Sequence, residues 1–462
     1  MNLTLADIAR LLHQTFDPDR DVRVTGVSVD SRGVRPGDVF FALPGDRVDG
    51  HAFTADAFGR GAVAAVVDAA RTDIPEPPPA RRLFRVPGVL PALQDLAAGY
   101  RAEFSMPVVA VTGTNGKTTT KEMIASVLSC RFRTARTEGN LNNHIGVPLS
   151  VCAWDRSREA AVLEMGANHF GEIGRLCEIA KPTHGVITNI GRAHLAFFGD
   201  ADGVLKAKSE LLDWLSADGT AFLNGDDPSL GTVRNRAART VTFGFGGGCD
   251  VSGRMLRADA SGLSGFELDG RRYRVPVPGR HNLYNALAAA AVGLAFGVDA
   301  EAVQDALGRF TPPGLRTEVT NAGGVAVIND AYNANPSSVE QAVLALKSMS
   351  GLKRRAVALG DMLELGDRSE EEHRRTGVFV ADIRPNLFLC CGPAMRHAAE
   401  AATDAGMRNV RHFERPAEMA GALAEWVREG DGVLIKGSRA MKMETVASEL
   451  IAFLRNPSGI GG

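Results

Sequence analysis

The feature that most constrains this chain is a short glycine-containing loop, Gly113-Thr114-Asn115-Gly116-Lys117-Thr118-Thr119. It follows Pro107–Thr112, an apolar β-branched run typical of a buried parallel strand, and precedes a helix-like stretch, Thr119–Cys130. In such a loop the backbone N–H groups point at phosphate oxygens, and the positive end of the next helix faces the same place. We expect all seven residues to contact a nucleoside triphosphate, with Lys117 on the β- and γ-phosphates and the Thr118 hydroxyl on Mg²⁺. An ordinary glycine turn is the alternative.

The pattern after this loop predicts an α/β fold. Apolar runs that read as buried strands alternate with helix-like stretches, which is typical of a doubly wound parallel sheet. A glycine-rich turn, Gly244–Cys249, and the short strand-like pieces up to Pro276 predict a β-rich excursion. The buried-strand candidates are Ala160–Glu164, His184–Asn189 and Thr220–Asn224.

The length of 462 residues predicts roughly three domains at ~150 residues each. We place them at residues 1–104, 105–311 and 312–462, with Thr311-Pro312-Pro313-Gly314 as the clearest linker, because two prolines and a glycine stop both helix and strand. The last domain is predicted to be a second, smaller α/β (Rossmann-like) unit. Its strand candidates are Val325–Asn329, Arg355–Leu359, Leu387–Cys391 and Gly432–Ile435, and one of its helices is Ser337–Ser348. The first domain has strand candidates Val22–Val29, Asp38–Ala42 and Ala62–Val67, helices Ala52–Gly61 and Leu90–Phe104, and a proline-rich loop, Ile74–Ala80.

Charge and composition exclude several classes of function. The net charge of −2 gives no basis for broad electrostatic capture of nucleic acid or of an acidic membrane surface, so any anion must bind at a local site. No run reaches the ~18 apolar residues needed to span a membrane, and Met1–Leu12 lacks the apolar core of a signal peptide. The six cysteines form no CxxC pair, so we expect buried, reduced thiols and a cytoplasmic protein.

Four further side chains are candidates for the chemistry. Glu164 ends a predicted strand at the sheet edge where ligands bind, and its carboxylate suits Mg²⁺; a solvated strand-end charge is the alternative. His194 follows another strand at the same edge and is a candidate metal ligand; a structural histidine is the alternative. Lys206 and Lys208 follow on a predicted helix, where a charge run is usually a solvated face.

These motifs, in this order, resemble the Mur ligase family, which includes folylpolyglutamate synthase and whose members join a carboxylate to an amine with ATP. The Thr-Asn spacer of the phosphate loop is characteristic of the family, and the resemblance extends from about Val27 to Lys442. It is strongest to members that add D-alanyl-D-alanine (D-Ala-D-Ala) to UDP-N-acetylmuramoyl-tripeptide (UDP-MurNAc-tripeptide) through an acyl phosphate in peptidoglycan precursor synthesis. The stretches that carry it are Asp30–Arg32, Glu138–Pro148, Gly279–Ala286 and Asn329–Pro336. The Asp-Asn-Pro-Arg motif of the diaminopimelate-adding relative is not found.

The resemblance implies a role for each matching residue. Asp30, Ser31, Arg32, His51 and Phe53 would hold the UDP end, and Asn140, Asn142 and Asn143 would line the sugar-peptide channel. Asn282, Asn285, Arg316, Asp330, Tyr332 and Asn333 would contact ATP, and Lys436, Gly437 and Ser438 would be later contacts or an ordinary strand end.

The resemblance also implies two magnesium ions and a lysine carbamylated by CO₂. That lysine lies fourteen residues after the motif histidine, which selects Lys208 over Lys206. Lys117, Glu164, His194 and Lys208 would then be catalytic, with Thr118, Glu164, His194 and Lys208 around the metals. We expect a monomer. Other amide ligases of the family, a P-loop ATPase without ligase activity and a catalytically inactive regulator remain alternatives.

Overall fold

The computed structural model describes residues 1, 3–15, 22–45, 48–78, 81–192, 195–256 and 264–456. Within these ranges the chain forms three consecutive α/β units, each built on its own sheet. The prediction of an α/β fold with a central parallel-sheet domain and a smaller C-terminal one is confirmed.

The N-terminal unit is built on a parallel sheet of four short strands, in the order β3-β4-β5-β6, beside an antiparallel pair, β1 and β2. The strands are β1 Leu3–Thr4, β2 Arg23–Val24, β3 Gly26–Ser28, β4 Asp38–Phe41, β5 Ala64–Asp68 and β6 Arg82–Val86, and the helices are α1 Leu5–Leu11, α2 Thr54–Gly59 and α3 Val89–Arg101. The predicted strand Val22–Val29 is therefore two strands, β2 and β3, which belong to different sheets.

The central unit contains a parallel sheet in the order β13-β12-β11-β10-β7-β9-β8. Its strands are β7 Val108–Thr112, β8 Thr134–Arg136, β9 Ala160–Glu164, β10 His184–Ile187, β11 Thr220–Asn224, β12 Arg239–Gly244 and β13 Val251–Ser252. Its helices are α4 Lys117–Leu128, α5 Gly146–Cys152, α6 Glu172–Ala180, α7 Leu195–Phe198, α8 Ala201–Asp213, α9 Pro228–Gly231, α10 Arg280–Ala295 and α11 Ala300–Gly308. The predicted β-rich excursion is an antiparallel sheet of β14 Arg254–Leu256, β15 Ser264–Leu268 and β16 Arg271–Val275.

Helices cover both faces of the central sheet, and β7 explains why its sequence is apolar at every position. Val108 and Ala110 pack into the core on the side of α6 and α8, whereas Val109 and Val111 pack into the core on the side of α4 and α10. Since β7 lies between β9 and β10 and all three run parallel, their carboxyl ends meet at one edge of the sheet.

The C-terminal unit contains a sheet in the order β17-β18-β22-β19-β20-β21, in which β17 is antiparallel and the other strands are parallel. The last strand of the chain therefore lies inside the sheet. The strands are β17 Glu318–Ala322, β18 Val325–Asp330, β19 Arg355–Gly360, β20 Leu387–Cys391, β21 Val410–Phe413 and β22 Gly432–Lys436. The helices are α12 Pro336–Ser348, α13 Ser369–Ile383, α14 Met395–Asp404, α15 Pro416–Trp426 and α16 Glu444–Arg455.

All six cysteines are free, but the expectation that all are buried is wrong for two. Cys130 is exposed just after α4, and Cys249 is partly exposed near the start of β13. Cys390 and Cys391 are buried in β20 as predicted, and burial raises the pKa of both thiols. In the described part of the chain no helix is long and apolar enough to cross a membrane.

Candidate active site

A cavity of about 760 Å³ lies at the carboxyl edge of the central sheet, between the phosphate loop and the C-terminal sheet. All three units contribute to its wall, from Leu90 in α3 to Lys436 in β22. The predicted site residues that line it are Thr114, Asn115, Gly116, Lys117, Thr118, Thr119, Asn140, Asn142, Asn143, Glu164, Lys208, Asn282, Asn285, Arg316, Asp330, Tyr332, Asn333 and Lys436. Residues far apart in sequence thus form one cavity.

The phosphate loop requires both of its glycines. Gly113 has φ 137° and Gly116 has φ 80°, in the region that favours glycine. A Cβ on Gly113 would lie 2.1 Å from Thr188 Oγ1, and a Cβ on Gly116 would lie 2.4 Å from Asn285 Oδ1. No side chain caps the N-terminus of α4, which begins at Lys117, so its first N–H groups are available to an anion.

The ammonium group of Lys117 lies at the mouth of this loop. Its Nζ donates to the carbonyl oxygens of Gly113, at 2.9 Å, and Thr114, at 3.0 Å. Desolvation by the surrounding protein lowers the pKa of Lys117; Arg316 lowers the pKa further and Glu164 opposes the shift. The lysine is thus positioned to interact with a phosphate bound on the loop.

Glu164 ends β9 beside the loop and is 1% exposed. Its Oε1 accepts a hydrogen bond of 2.7 Å from Asn142 Nδ2, while its buried Oε2 has no hydrogen-bond partner among the described residues. A buried carboxylate oxygen without a donor is suited to a hard cation such as Mg²⁺. Thr118, whose hydroxyl is the other oxygen ligand expected here, is also buried and lines the same cavity.

Lys208 reaches the cavity from α8, whereas Lys206 is not among the residues that line it. The Nζ of Lys208 donates to Ala167 O at 3.2 Å, and the side chain is 2% exposed. Burial, together with the charge of Lys117, lowers the pKa of Lys208 to about 7. A large part of this lysine is therefore neutral near pH 7, as carbamylation requires. Lys206 instead lies over the ring of Phe170, at 5.3 Å.

The C-terminal unit contributes a second set of charges to the cavity. The Arg316 guanidinium stacks on the Tyr332 ring at 3.7 Å. Lys436 Nζ lies 2.6 Å from Asp330 Oδ2 and 2.9 Å from the carbonyl oxygen of Asn333. These groups face the phosphate loop across the cavity.

The two asparagines of α10 support the loop from the central unit. Asn285 Nδ2 donates to Asn282 Oδ1 at 3.0 Å, and Asn285 Oδ1 accepts from Thr120 Oγ1 at 3.1 Å. Asn282 Nδ2 in turn donates to Pro278 O. Both asparagines are buried and hold the start of α10 against the start of α4.

The N-terminal candidates are not among the residues that line this cavity. Asp30 and Arg32 pair with each other at 2.7 Å on the surface, Ser31 is buried beside them, and Phe53 is 40% exposed. Both ring nitrogens of His51 bond within the protein, Nδ1 with Asp49 Oδ1 at 2.6 Å and Nε2 with the Asp68 N–H at 3.0 Å. Gly113, Gly437 and Ser438 are likewise not among the lining residues, and His194 lies outside the described residues.

Three family models match consecutive parts of the chain and together cover most of it. The Mur ligase family, catalytic domain, matches residues 23–101; the Mur ligase middle domain matches residues 111–293; and the Mur ligase, glutamate ligase domain, matches residues 315–439.

The chain belongs to the Mur ligase family.

Individual Mur ligases match over nearly their full length. The UDP-N-acetylmuramoyl-tripeptide--D-alanyl-D-alanine ligase of Bacillus subtilis is 36% identical over 454 residues, which is 97% of this chain and 98% of the relative. The crystal structure of MurF from Acinetobacter baumannii has a TM-score of 0.87 at 31% identity and covers 98% of this chain and 99% of its own. The structure of the MurF ligase from Thermotoga maritima in complex with ADP has a TM-score of 0.82 at 30% identity, over 94% and 99% of the two chains.

The cavity of this Mur ligase also contains residues that the sequence reasoning missed. His281 lies in the Gly279–Ala286 stretch that marked the family, and desolvation lowers its pKa to about 4. Its position beside two recognised asparagines was a usable signal. His144 and Asn335 also line the cavity, and they lie in the Glu138–Pro148 and Asn329–Pro336 stretches, so the resemblance was a usable signal for them too. Further missed lining residues lie on helix faces or in loops without any motif: Glu172, Arg175, Ser338, Gln341 and Glu364.

Proposed function

We propose that this Mur ligase joins D-Ala-D-Ala to UDP-MurNAc-tripeptide and forms UDP-MurNAc-pentapeptide while ATP is converted to ADP and phosphate. The observation that carries the proposal is the full-length likeness, at 36% identity, to a relative named for this reaction. The cavity supports it, because a phosphate loop faces cationic side chains across a space of the size that small-molecule sites have.

The first step is activation of the tripeptide carboxylate. Without activation, attack by an amine would have to expel oxide, which is a very poor leaving group. The carboxylate oxygen attacks the γ-phosphorus of ATP, the bond to the β-γ bridging oxygen breaks, and an acyl phosphate and ADP form. The protein contributes alignment and charge neutralisation. Lys117 and the free N–H groups of α4 interact with the phosphates from one side, and Arg316 and Lys436 provide positive charge from the other.

The second step is attack of the D-Ala-D-Ala amine on the acyl carbon. The tetrahedral adduct carries an oxyanion that the cations of the cavity stabilise. Its nitrogen loses a proton and the bond between the acyl carbon and the phosphate oxygen breaks, which gives the amide and phosphate. Water must be excluded, since it would hydrolyse the acyl phosphate, so the C-terminal unit has to remain docked over the phosphate loop.

Mg²⁺ is proposed at Glu164 and Thr118, where it would supply charge neutralisation at the phosphates. The orphaned Oε2 of Glu164 supports this position. A second ion is proposed at a carbamylated Lys208, with His194 as a further ligand. The neutral amine that carbamylation requires is supported by the low pKa of Lys208; an ammonium cannot bind a cation, whereas its carbamate supplies two oxygens.

The remaining assignments complete the proposal. We place the domain boundaries at residues 1–104, 105–311 and 312–462. The N-terminal domain would bind the UDP end of the substrate through Asp30, Ser31, Arg32, His51 and Phe53. Since both nitrogens of His51 are used within the protein, we assign it to shaping this surface. We infer a cytoplasmic location, which agrees with six free cysteines. A monomer is part of the same proposal.

The proposal is tested by measuring ADP release and amide formation with UDP-MurNAc-tripeptide and each of several amines. We expect both products with D-Ala-D-Ala and neither when the tripeptide is left out. A reaction with a single amino acid or with a folate substrate, and none with D-Ala-D-Ala, would assign the chain to another reaction of the family. ATP turnover without any carboxylate substrate would instead identify an ATPase.

A further inference from the structure

The phosphate loop and the segment after β10 form one hydrogen-bonded unit. The carbonyl oxygen of Asn115 accepts from Thr188 Oγ1 at 2.6 Å and from Asn189 Nδ2 at 3.0 Å, and the Asn115 N–H donates to Asn189 Oδ1 at 3.0 Å. One residue earlier, Thr114 Oγ1 accepts from the Gly191 N–H at 2.9 Å. The backbone of Asn115 is therefore held on the central sheet, and its side chain is left for other partners.

Those partners come from the C-terminal unit, at the start of α12. Asn115 Nδ2 donates to Ser337 Oγ at 2.8 Å, Ser337 Oγ donates to Asn335 Oδ1 at 3.0 Å, and Asn335 Nδ2 donates to Asn115 Oδ1 at 3.0 Å. The three side chains thus form a closed ring across the domain boundary. Asn335 is also the N-cap of α12, where its Oδ1 accepts from the Ser338 N–H, so the ring begins where the helix begins.

One turn further along α12, an ion pair crosses the same boundary. Arg192, from the segment after β10, donates from Nη2 to Glu340 Oε1 at 2.7 Å. Its Nε lies 3.8 Å from Glu372 Oε2, a buried carboxylate oxygen with no hydrogen-bond partner in the described ranges. Separation of the two units would leave that buried charge without its nearest interdomain cation, which is unfavourable.

We propose that the ring Asn115–Ser337–Asn335 and the pair Arg192–Glu340 form a latch that couples docking of α12 to the geometry of the phosphate loop. Asn335, Ser337, Arg192 and Glu340 are positioning residues, which act through Asn115 and through the segment after β10. The latch sets the fraction of molecules in which the C-terminal cations face the loop. Since apparent nucleotide affinity scales with that fraction, loss of the latch weakens ATP binding more than it slows chemistry at saturating ATP. This inference rests on the proposed function only for its kinetic readout.

The test uses two substitutions that keep the helix intact. Ser337→Ala opens the ring but keeps the capping bond from the Ser338 N–H to Asn335 Oδ1, and Glu340→Gln removes the charge of the pair. Matched controls are Ser348→Ala, whose hydroxyl bonds to Ala345 O at the far end of the same helix, and Glu414→Gln, whose exposed carboxylate pairs with Arg396 at 2.7 Å within the C-terminal unit. Asn335→Ser is added because serine still caps α12 but is too short to reach Asn115.

We measure the Kd of ADP, the KM for ATP, kcat, and the radius of gyration from solution X-ray scattering, all on the full chain. Loss of one or two hydrogen bonds predicts a rise of about five- to tenfold in Kd and KM for Ser337→Ala combined with Glu340→Gln. We expect kcat to change less than about twofold, the radius of gyration without nucleotide to increase, and the controls to match the wild type.

Two results would overturn the latch: Kd and KM within twofold of the wild type, or a fall in kcat at unchanged KM. If the wild type forms no amide, the proposed function fails, while the latch is still decided by ADP binding and scattering.

Discussion

Lys436 and Asp330 are paired in register on neighbouring strands, and their side chains meet at 2.6 Å at the end of β22 and β18. The Lys436 side chain is 4% exposed and that of Asp330 is 15% exposed. Lys436 also donates to Asn333 O, and Asp330 Oδ1 accepts from the Thr317 N–H at 2.9 Å. One ion pair thus holds together three segments of the C-terminal wall of the cavity.

This pair predicts an asymmetric effect on stability. Asp330→Asn leaves a buried ammonium without its counter-charge and should lower the free energy of unfolding by about 3 kcal/mol. Adding Lys436→Met removes that ammonium and should recover most of the loss. Urea denaturation of both single variants and the double variant measures the coupling; a double variant as unstable as the sum of the two singles would contradict it.

Lys117 is predicted to be needed for turnover and not for folding. Its Nζ bonds only to two carbonyl oxygens of its own loop among the described residues, so Lys117→Ala breaks no contact between units. We expect kcat to fall by at least about 10²-fold, as for loss of one group that stabilises the transition state. We expect an equal or higher melting temperature, because a desolvated positive charge is removed. Lys347→Ala, on the exposed side of α12, is the control; residual turnover within tenfold of the wild type would remove Lys117 from the mechanism.

Lys208 makes the central unit less stable at low pH than an apolar side chain would. Burial lowers its pKa from 10.5 to about 7, so between these values the unfolded chain binds more protons than the folded one. For the unmodified lysine, stability is therefore lowest below pH 7 and rises as pH increases from 7 towards 10.5. The full penalty is on the order of 4–5 kcal/mol at most.

Lys208→Met should accordingly be more stable than the wild type at pH 6, by a margin that shrinks at pH 9, and it should lose ligase activity. Urea denaturation in CO₂-free buffers at both pH values measures this. The control is Lys121→Met, because Lys121 is also buried but donates to Thr137 O and to Glu122; it should lose stability at both pH values. A Lys208→Met variant that is less stable than the wild type at pH 6 would contradict the inference that the buried charge of Lys208 destabilises the folded protein.

Glu164→Gln is predicted to change the magnesium requirement. Glutamine preserves the shape and the acceptor for Asn142 but removes the charge at the orphaned oxygen. We expect the Mg²⁺ concentration for half-maximal activity to rise by at least about tenfold, at equal or higher stability, because an unpaired buried charge has been removed. A magnesium titration of ADP release decides this, with a substitution of the exposed Glu301 of α11, Glu301→Gln, as control; an unchanged titration curve would place the ion elsewhere.

The sequence predicted those strands that stand out as continuous apolar runs. Ala160–Glu164, Thr220–Asn224 and Leu387–Cys391 coincide with β9, β11 and β20, because each is apolar on both faces and long enough to stand out. The three-residue strand β8, with one buried residue, was missed because so short an edge strand carries no pattern. Nor could strand order be read, since it depends on which surfaces pack.

The candidate site likewise combines residues that the sequence predicts with contacts that it does not predict. Local motifs predicted the phosphate loop and Glu164, and the resemblance predicted Lys208; residues 114–119 of the loop, Glu164 and Lys208 line the cavity. The bond between Asn115 and Ser337 joins residues 222 positions apart, and Arg192 meets Glu340 over 148 positions. Such contacts form only when the domains dock, so no local sequence pattern predicts them.

The interior place of β22 has a consequence for synthesis of the protein. Because this strand lies between β18 and β19, the C-terminal sheet cannot close until residues 432–436 have been made. Lys436, the last residue of that strand, also completes the cavity wall. A chain still emerging from the ribosome therefore lacks part of the cavity wall until residue 436 has been made, and the complete site arises late in translation.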